Sequence, residues 1–311
     1  LIAKADPVGV VWVGTSAGLF RLDRGRLVLE RVDDDQLNGL SPEFLTFDYV
    51  QGSQRIYMAS EHSLYVRQDG KSRKVHAGPD GNRIHALLMA NNGRLWIGSN
   101  DGLHFIDRDG TPQVYAALQQ MRISALYQSA SGSVWVGTAK NGIFRIDAEA
   151  KHHPLPLPES GNQAPWIYDI SEARPGEYWF ATFGNGILVY NELSGVFKPS
   201  RKERMLESNL LDNDVWVLFR DRAGLLWFGT RTGLNVTNTA LSGLHHIPAG
   251  LPGSRLSDGM IYAMEALPDG RIAVGTGNYG LDFLHPSLGI ERYLPPGTAF
   301  GAERIPDNAV E

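Results

Sequence analysis

Apolar and polar positions alternate along this chain in short runs, and one pair of runs returns from end to end. The clearest copy is Leu95-Trp96-Ile97-Gly98-Ser99, the polar step Asn100-Asp101, then Gly102-Leu103-His104-Phe105-Ile106. Related copies begin Val11-Trp12, Ile56-Tyr57, Val134-Trp135, Tyr178-Trp179, Leu226-Trp227 and Ile272-Ala273, which makes seven. Their second residues stand at positions 12, 57, 96, 135, 179, 227 and 273, so each step is 39 to 48 residues. A period in this range marks a repeat architecture.

Within a copy the grammar is that of a β-hairpin. A run rich in β-branched and aromatic residues forms one strand, a short loop ending in Gly turns the chain, and an alternating run such as Leu19-Phe20-Arg21-Leu22 forms its partner. The turn glycines are Gly18, Gly102, Gly142, Gly186, Gly233 and Gly280, and the second copy has Ser63 instead. A positive φ would strain a serine, so that copy is expected to be irregular.

A second glycine stands three residues before the aromatic, at Gly9, Gly93, Gly132, Gly176, Gly224 and Gly270, after an earlier apolar run such as Ile84-His85-Ala86-Leu87-Leu88. A weaker run follows each hairpin, as in Val114-Tyr115 and Ile290-Glu291-Arg292-Tyr293-Leu294. Four strands per repeat, ordered as a meander and repeated seven times, predict an all-β, seven-bladed β-propeller with four antiparallel strands per blade. The absence of sustained 3.6-residue periodicity excludes a helical solenoid. The propeller is expected to occupy 1–311 as one domain.

A small twisted sheet with two apolar faces is not stable alone, so blades must pack on one another. The repeated Trp is best explained there. A buried aromatic removes about 150–250 Å² from water, worth roughly 4–6 kcal/mol as an upper estimate. Trp12, Trp96, Trp135, Trp179 and Trp227 are therefore assigned to blade-to-blade packing and not to a cofactor. Leu1 to Ala5 reads as the later part of a first strand, and Pro306-Asp307-Asn308-Ala309-Val310 as the lead-in to one. Either the termini meet in one blade or the chain is a segment of a longer protein.

Composition narrows the partners. The net charge of -5 carries no basic bias, so nucleic acid is not expected as a partner. The chain has no cysteine, which removes disulfides, zinc-thiolate sites and thiol catalysis. No apolar run reaches the length of a membrane span, and the first residues do not form a signal peptide.

Most chemical motifs dissolve into the repeat. Gly14-Thr15-Ser16-Ala17-Gly18 fits a nucleophile elbow by pattern but lies in a strand-turn-strand unit with no following helix. His152-His153 and His245-His246 are strand neighbours whose side chains point to opposite faces, so neither pair is assigned a metal. Asn235-Val236-Thr237 matches a glycosylation sequon inside an expected strand. Asp23, Asp107, Asp147, Asn191 and Asn238 recur at the ends of third strands as turn residues, and the acidic linker 33–39 is expected to be a solvated loop. No catalytic residue, metal or cofactor is assigned.

A symmetric scaffold holds a unique site where it departs from its own repeat. The loops between strands 2 and 3 and the lead-ins to strand 1 share one face of a propeller. The hairpin loops there carry Asn100-Asp101, Lys140-Asn141, Phe183-Gly184-Asn185, Arg231 and Gly277-Asn278-Tyr279; the lead-ins carry Arg83, Arg122, Trp166, Asp214 and Met260. Aromatic, amide and guanidinium groups on one rim suit a saccharide or another small polar ligand. The candidate ligand-binding residues are Trp166, Phe183, Asn185, Arg231, Asn278, Tyr279, Arg83, Asn100 and Lys140, weighted toward blades 5 to 7. The connections 191–211 and 239–260 are the long ones, where recognition loops are expected. Asp101, Asp214 and Asp282 are the near-rim acids, at unrelated repeat positions that do not make a hydrolytic pair.

Leu95-Trp96-Ile97-Gly98-Ser99-Asn100-Asp101-Gly102-Leu103, preceded by Asn92-Gly93-Arg94, resembles the two-component regulator propeller repeat, and so does Asp221-Arg222-Ala223-Gly224-Leu225-Leu226-Trp227-Phe228-Gly229-Thr230-Arg231-Thr232-Gly233-Leu234. The likeness runs through all seven copies and is weakest at Tyr57, Ser63 and Ala273. It implies the periplasmic sensor region of a bacterial inner-membrane receptor whose output is a histidine kinase or a diguanylate cyclase. The propeller itself would be non-catalytic. Neighbouring domains of the same receptor would be its partners, with self-association through the parent protein. A glycan lyase or hydrolase, and an interaction platform within an envelope complex, are the alternatives on the same fold.

Overall fold

A computed structural model describes residues 2–6, 9–23, 28–37, 40–50, 53–77, 82–108, 110–157, 164–198, 210–221, 223–238, 244–249, 256–267, 270–277, 280–284, 290–294, 299–300 and 303–304. They form seven four-stranded antiparallel sheets, each a contiguous meander with its strands in chain order. The protein is a seven-bladed β-propeller. Blade 1 runs from Ile2 to Arg31, blade 2 from Phe44 to Ala77, blade 3 from Ile84 to Val114 and blade 4 from Ile123 to Pro154. Blade 5 runs from Ile167 to Lys198, blade 6 from Val215 to Pro248 and blade 7 from Ile261 to Leu294. A short pair, Ala299–Phe300 with Glu303–Arg304, follows.

The sheets fall into two compact units, 1–83 with 247–311, and 84–246. In the first, one core joins blades 1 and 7 through Val11, Val13, Phe20, Ala273, Leu281 and Phe283, and another joins Trp12 and Leu19 to Leu45, Ile56 and Met58 of blade 2. Ile2–Ala5 supplies the first strand of blade 1. The alternative in which Pro306 to Val310 shares that blade lies outside the described residues.

In the second unit blades 3, 4 and 5 each pack their Trp on the next. Trp96 joins Val134, Val136 and Phe144; Trp135 joins Tyr178 and Phe180; Trp179 joins Leu226 and Phe228. Trp135 and Tyr178 rings lie 4.0 Å apart. Trp227 is fully buried. The glycine of Trp-x-Gly is there for approach: a Cβ on Gly137 would stand 2.6 Å from Ile167 Cγ2, and one on Gly98 2.7 Å from Ile123 Cγ2. The residue after it clasps the hairpin, as Thr138 Oγ1 donates to Gly142 O at 2.7 Å and Thr230 Oγ1 to Gly233 O at 2.8 Å.

Two local expectations are corrected. Blade 2 is regular, with strands Phe44–Val50, Ser53–Ser60, Ser63–Gln68 and Lys71–Ala77. Its hairpin moves the positive φ to Glu61, at 50°, and so needs no glycine at 63. The acidic linker is not simply solvated either. It forms a short 3-10 turn at Asp35–Leu37, Leu37 enters the core and Asp34 pairs with Arg67.

Candidate functional site

The first strands of successive blades lie side by side in the second unit, and each is bulged near its start. The register slips between Ile123 and Ala125, between Ile167 and Asp169, and between Val215 and Val217. The residues in the bulge are Ser124, Tyr168 and Trp216, with His85 at the matching place in blade 3. A bulge adds one residue and re-aims a side chain. Ser124 Oγ donates to Ile167 O at 2.5 Å, and Asp169 Oδ2 accepts from Leu218 N at 2.8 Å, so inner strands are stitched across blades.

This stitching positions an aromatic column at the blade 5 rim. The Arg122 guanidinium lies 4.4 Å from the Trp166 ring centroid. Trp166 stacks on Tyr168 at 5.4 Å and 13°, and Tyr168 meets Phe183 edge-on at 6.3 Å and 69°. Only the end of the column is open, since Phe183 is 54% exposed while Trp166 and Tyr168 are half-buried. Phe183 is held by its N–H to Trp166 O, 3.1 Å, and Asn185 Nδ2 donates back to Phe183 O at 3.3 Å.

Blade 6 completes the rim. Asp214 Oδ1 accepts the Gly184 N–H at 2.9 Å, and Arg231 Nε donates to Asp212 Oδ2 at 3.0 Å. The Arg231 side chain is 59% exposed against 12% for Asp212, so the acid anchors and the guanidinium faces solvent. Burial pushes the Tyr168 hydroxyl above the ordinary tyrosine range, the Asp214 charge adds to this, and Arg122 opposes it. Tyr168 is thus a neutral O–H donor at physiological pH. The set offers an apolar edge, a phenol, an amide and a guanidinium, which is recognition chemistry.

The other expected site residues lie elsewhere or take other roles. Asn100 Oδ1 meets His85 Nε2 at 2.8 Å on blade 3, and Lys140 is exposed in the blade 4 hairpin. Arg83 belongs to the first unit and donates from Nη2 and Nε to Glu43, at 2.8 and 3.1 Å. Asn278 and Tyr279 lie outside the described residues. Trp166 differs from expectation because its ring is taken up by Arg122 and Tyr168, leaving Phe183 as the presented aromatic. Asp282 is not a rim acid: it is wholly buried in the third strand of blade 7. Asn235 of the sequon is wholly buried as well.

Tyr168, Trp216 and Asp212 were not singled out from sequence. The bulge hides them, because one extra residue shifts the alternation by which inward positions are counted. Its signal is the doubled half-exposed pair Tyr168-Asp169 between Ile167 and Ile170. Among the described residues no three His, Asp or Glu side chains group as metal ligands, and no helix is long and apolar enough to cross a membrane.

The repeat model described as the two-component regulator propeller matches residues 78–101 and 209–232. Two segments of the chain, on blades 3 and 6, thus match the two-component regulator propeller repeat. Each matched segment runs from the lead-in through the first two strands into the hairpin, and the second contains Asp212, Asp214 and Arg231. No curated protein matches the chain at a significant level.

Solved structures share the fold at low identity. The extracellular domain of BT4673 from B. thetaiotaomicron, provisionally assigned both as a one-component and as a hybrid two-component system, matches with TM-score 0.72 and 20% identity. That match covers 90% of this chain and 37% of the other, so this chain spans little more than a third of that domain. A streptogramin B lyase matches at 0.68 and 15%, covering 88% of each chain. The virginiamycin B lyase of Staphylococcus aureus, solved with quinupristin, matches at 0.64 and 17%, covering 81% of this chain and 83% of that one.

Proposed function

We propose that this propeller is the ligand-sensing, non-catalytic part of the extracytoplasmic region of a bacterial signal-transduction receptor. It would lie in the periplasm, in a parent protein with a histidine kinase or diguanylate cyclase output. The ligand is a small polar molecule, with an oligosaccharide the best fit, held at the rim of blades 4 to 6. The observation that carries this reading is the column Arg122, Trp166, Tyr168 and Phe183, which ends on an exposed ring beside the solvent-facing guanidinium of Arg231. An aromatic edge covers the apolar face of a sugar, and a planar guanidinium takes a carboxylate or sulfate in a fork. The regulator propeller repeats support the receptor setting, and the fold shared with BT4673 supports the location.

The test is a glycan array followed by isothermal calorimetry on the hit. Phe183→Ala and Arg231→Ala should each weaken binding by about 1–2 kcal/mol, in the manner of aromatic and Arg hot spots, and both should keep the wild-type melting temperature because both side chains are exposed. An affinity indifferent to both changes would remove the rim assignment. Incubation of the glycan hit with the protein tests the glycan lyase or hydrolase alternative, and incubation with quinupristin tests a streptogramin lyase reading that rests on fold likeness alone; a cleaved product from either would overturn the sensor reading.

A further inference from the structure

The third strands of blades 6 and 7 each bury a polar side chain at one shared register. Asn235 follows Gly233-Leu234 and Asp282 follows Gly280-Leu281, and both are wholly buried. Blades 1, 4 and 5 have Phe20, Phe144 and Leu188 at this place. Each polar group accepts the backbone N–H of the residue four positions before its blade's first strand. Leu211 N donates to Asn235 Oδ1 at 3.2 Å, and Ser257 N donates to Asp282 Oδ2 at 2.9 Å. These two blades follow the long connections, so the buried side chain clamps the last residues of each connection to its blade.

The clamps differ in charge. In blade 6 the amide oxygen also meets His246 Nδ1 at 2.9 Å, and the group stays neutral. In blade 7, Oδ2 takes a second bond from Ser257 Oγ at 3.0 Å, while Oδ1 is buried with no hydrogen-bond partner. Among the described residues the charged group acting on Asp282 is Asp258, of the same sign. The register partners of Asp282 are Val274 on the second strand and Tyr293 on the fourth.

We propose that Asp282 is a pH-responsive clamp on the connection entering blade 7: when charged it holds Ser257 more strongly through Oδ2 but carries an uncompensated buried charge at Oδ1, which a proton relieves. A proton on Oδ1 removes a buried uncompensated charge and leaves Oδ2 free to accept both Ser257 bonds. Burial raises Asp282 above the usual carboxylate range, the two Ser257 bonds oppose this, and Asp258 adds to it. The folded value lies above the unfolded one. The net contribution of Asp282 to stability is therefore full below the unfolded value and lost as pH rises through the folded one.

The clamp reaches the rim through the lead-in from Ser257 to Met260, whose last carbonyl accepts the Gly277 N–H of the blade 7 hairpin at 2.8 Å. This holds whatever ligand the rim takes. The experiment is an NMR titration of the intact chain, following the Asp282 carboxyl carbon and the Ser257 amide. Asp147, lowered chiefly by its bond from His153, serves as the internal reference. Asp282 should titrate above the ordinary carboxylate range, and the Ser257 amide should follow the same midpoint. Ser257→Ala should move that midpoint higher, since it removes a bond to the charged form. Asp282→Asn should abolish the Ser257 transition, and if that variant does not fold, the wild-type and Ser257→Ala titrations decide alone. An Asp282 midpoint in the ordinary range, or one that falls in Ser257→Ala, would overturn the clamp.

Discussion

Asp221 shows how one side chain secures a blade. Its Oδ1 accepts the Leu225 N–H at 2.9 Å and its Oδ2 accepts the Trp227 indole N–H at 2.9 Å, so it closes a turn and satisfies a buried donor together. Asp6 does the same for Val10 and Trp12, at 2.7 and 3.1 Å. Blade 4 has Ser129 at that place, and the Trp135 indole nitrogen is buried without a partner. Trp179 turns to Glu177 on its own strand, at 3.0 Å. The aromatic is thus kept for its packing, and the acid is an addition that some blades make. Asp221→Ala leaves two donors unsatisfied and should cost about 1–3 kcal/mol, read from the urea midpoint. An unchanged midpoint would show that the Trp227 N–H had found another acceptor.

At the scale of the strand, the decisive feature is the approach of one blade's second strand to the next blade's first. Gly137 has no Cβ because Ile167 Cγ2 occupies that space, and Ile167 is itself wholly buried. Gly137→Ala should therefore destabilise by about 1–3 kcal/mol through overpacking, with the melting temperature as the measure. Blade 5 carries Ala181 at the equivalent place, fully buried, so the requirement follows the neighbour and not the strand alone. If Gly137→Ala melts with the wild type, the blade pair has slack that this packing denies. The strands, their order and their hairpins were legible from period-2 patterning and turn residues. The inner-strand bulges were not, because a bulge is an exception to the same alternation that reveals a strand.

At the scale of the whole molecule, a single blade cannot bury both of its faces. Trp135 is shielded by Tyr178 and Phe180 of blade 5, and Trp96 by residues of blade 4. A peptide of residues 123–154 should accordingly be unfolded by circular dichroism, while the intact chain unfolds from a β-rich state. A folded isolated blade would overturn the view that contacts between blades supply the stability.

The seven copies of one apolar pattern determined by themselves the fold class, the strand order, the role of the Trp residues and the resemblance to regulator propeller repeats, because each of these depends on local periodicity. They also indicated the rim, since hairpin loops and lead-ins share a face by topology. Only the tertiary structure decided which rim residue is presented. Trp166 was covered by Arg122 and Tyr168, Phe183 was left open, and Asp282 was withdrawn into the core to hold Ser257. Those outcomes depend on which side chains meet across blades, and a pattern read along one strand holds no information on what the neighbouring blade brings to it.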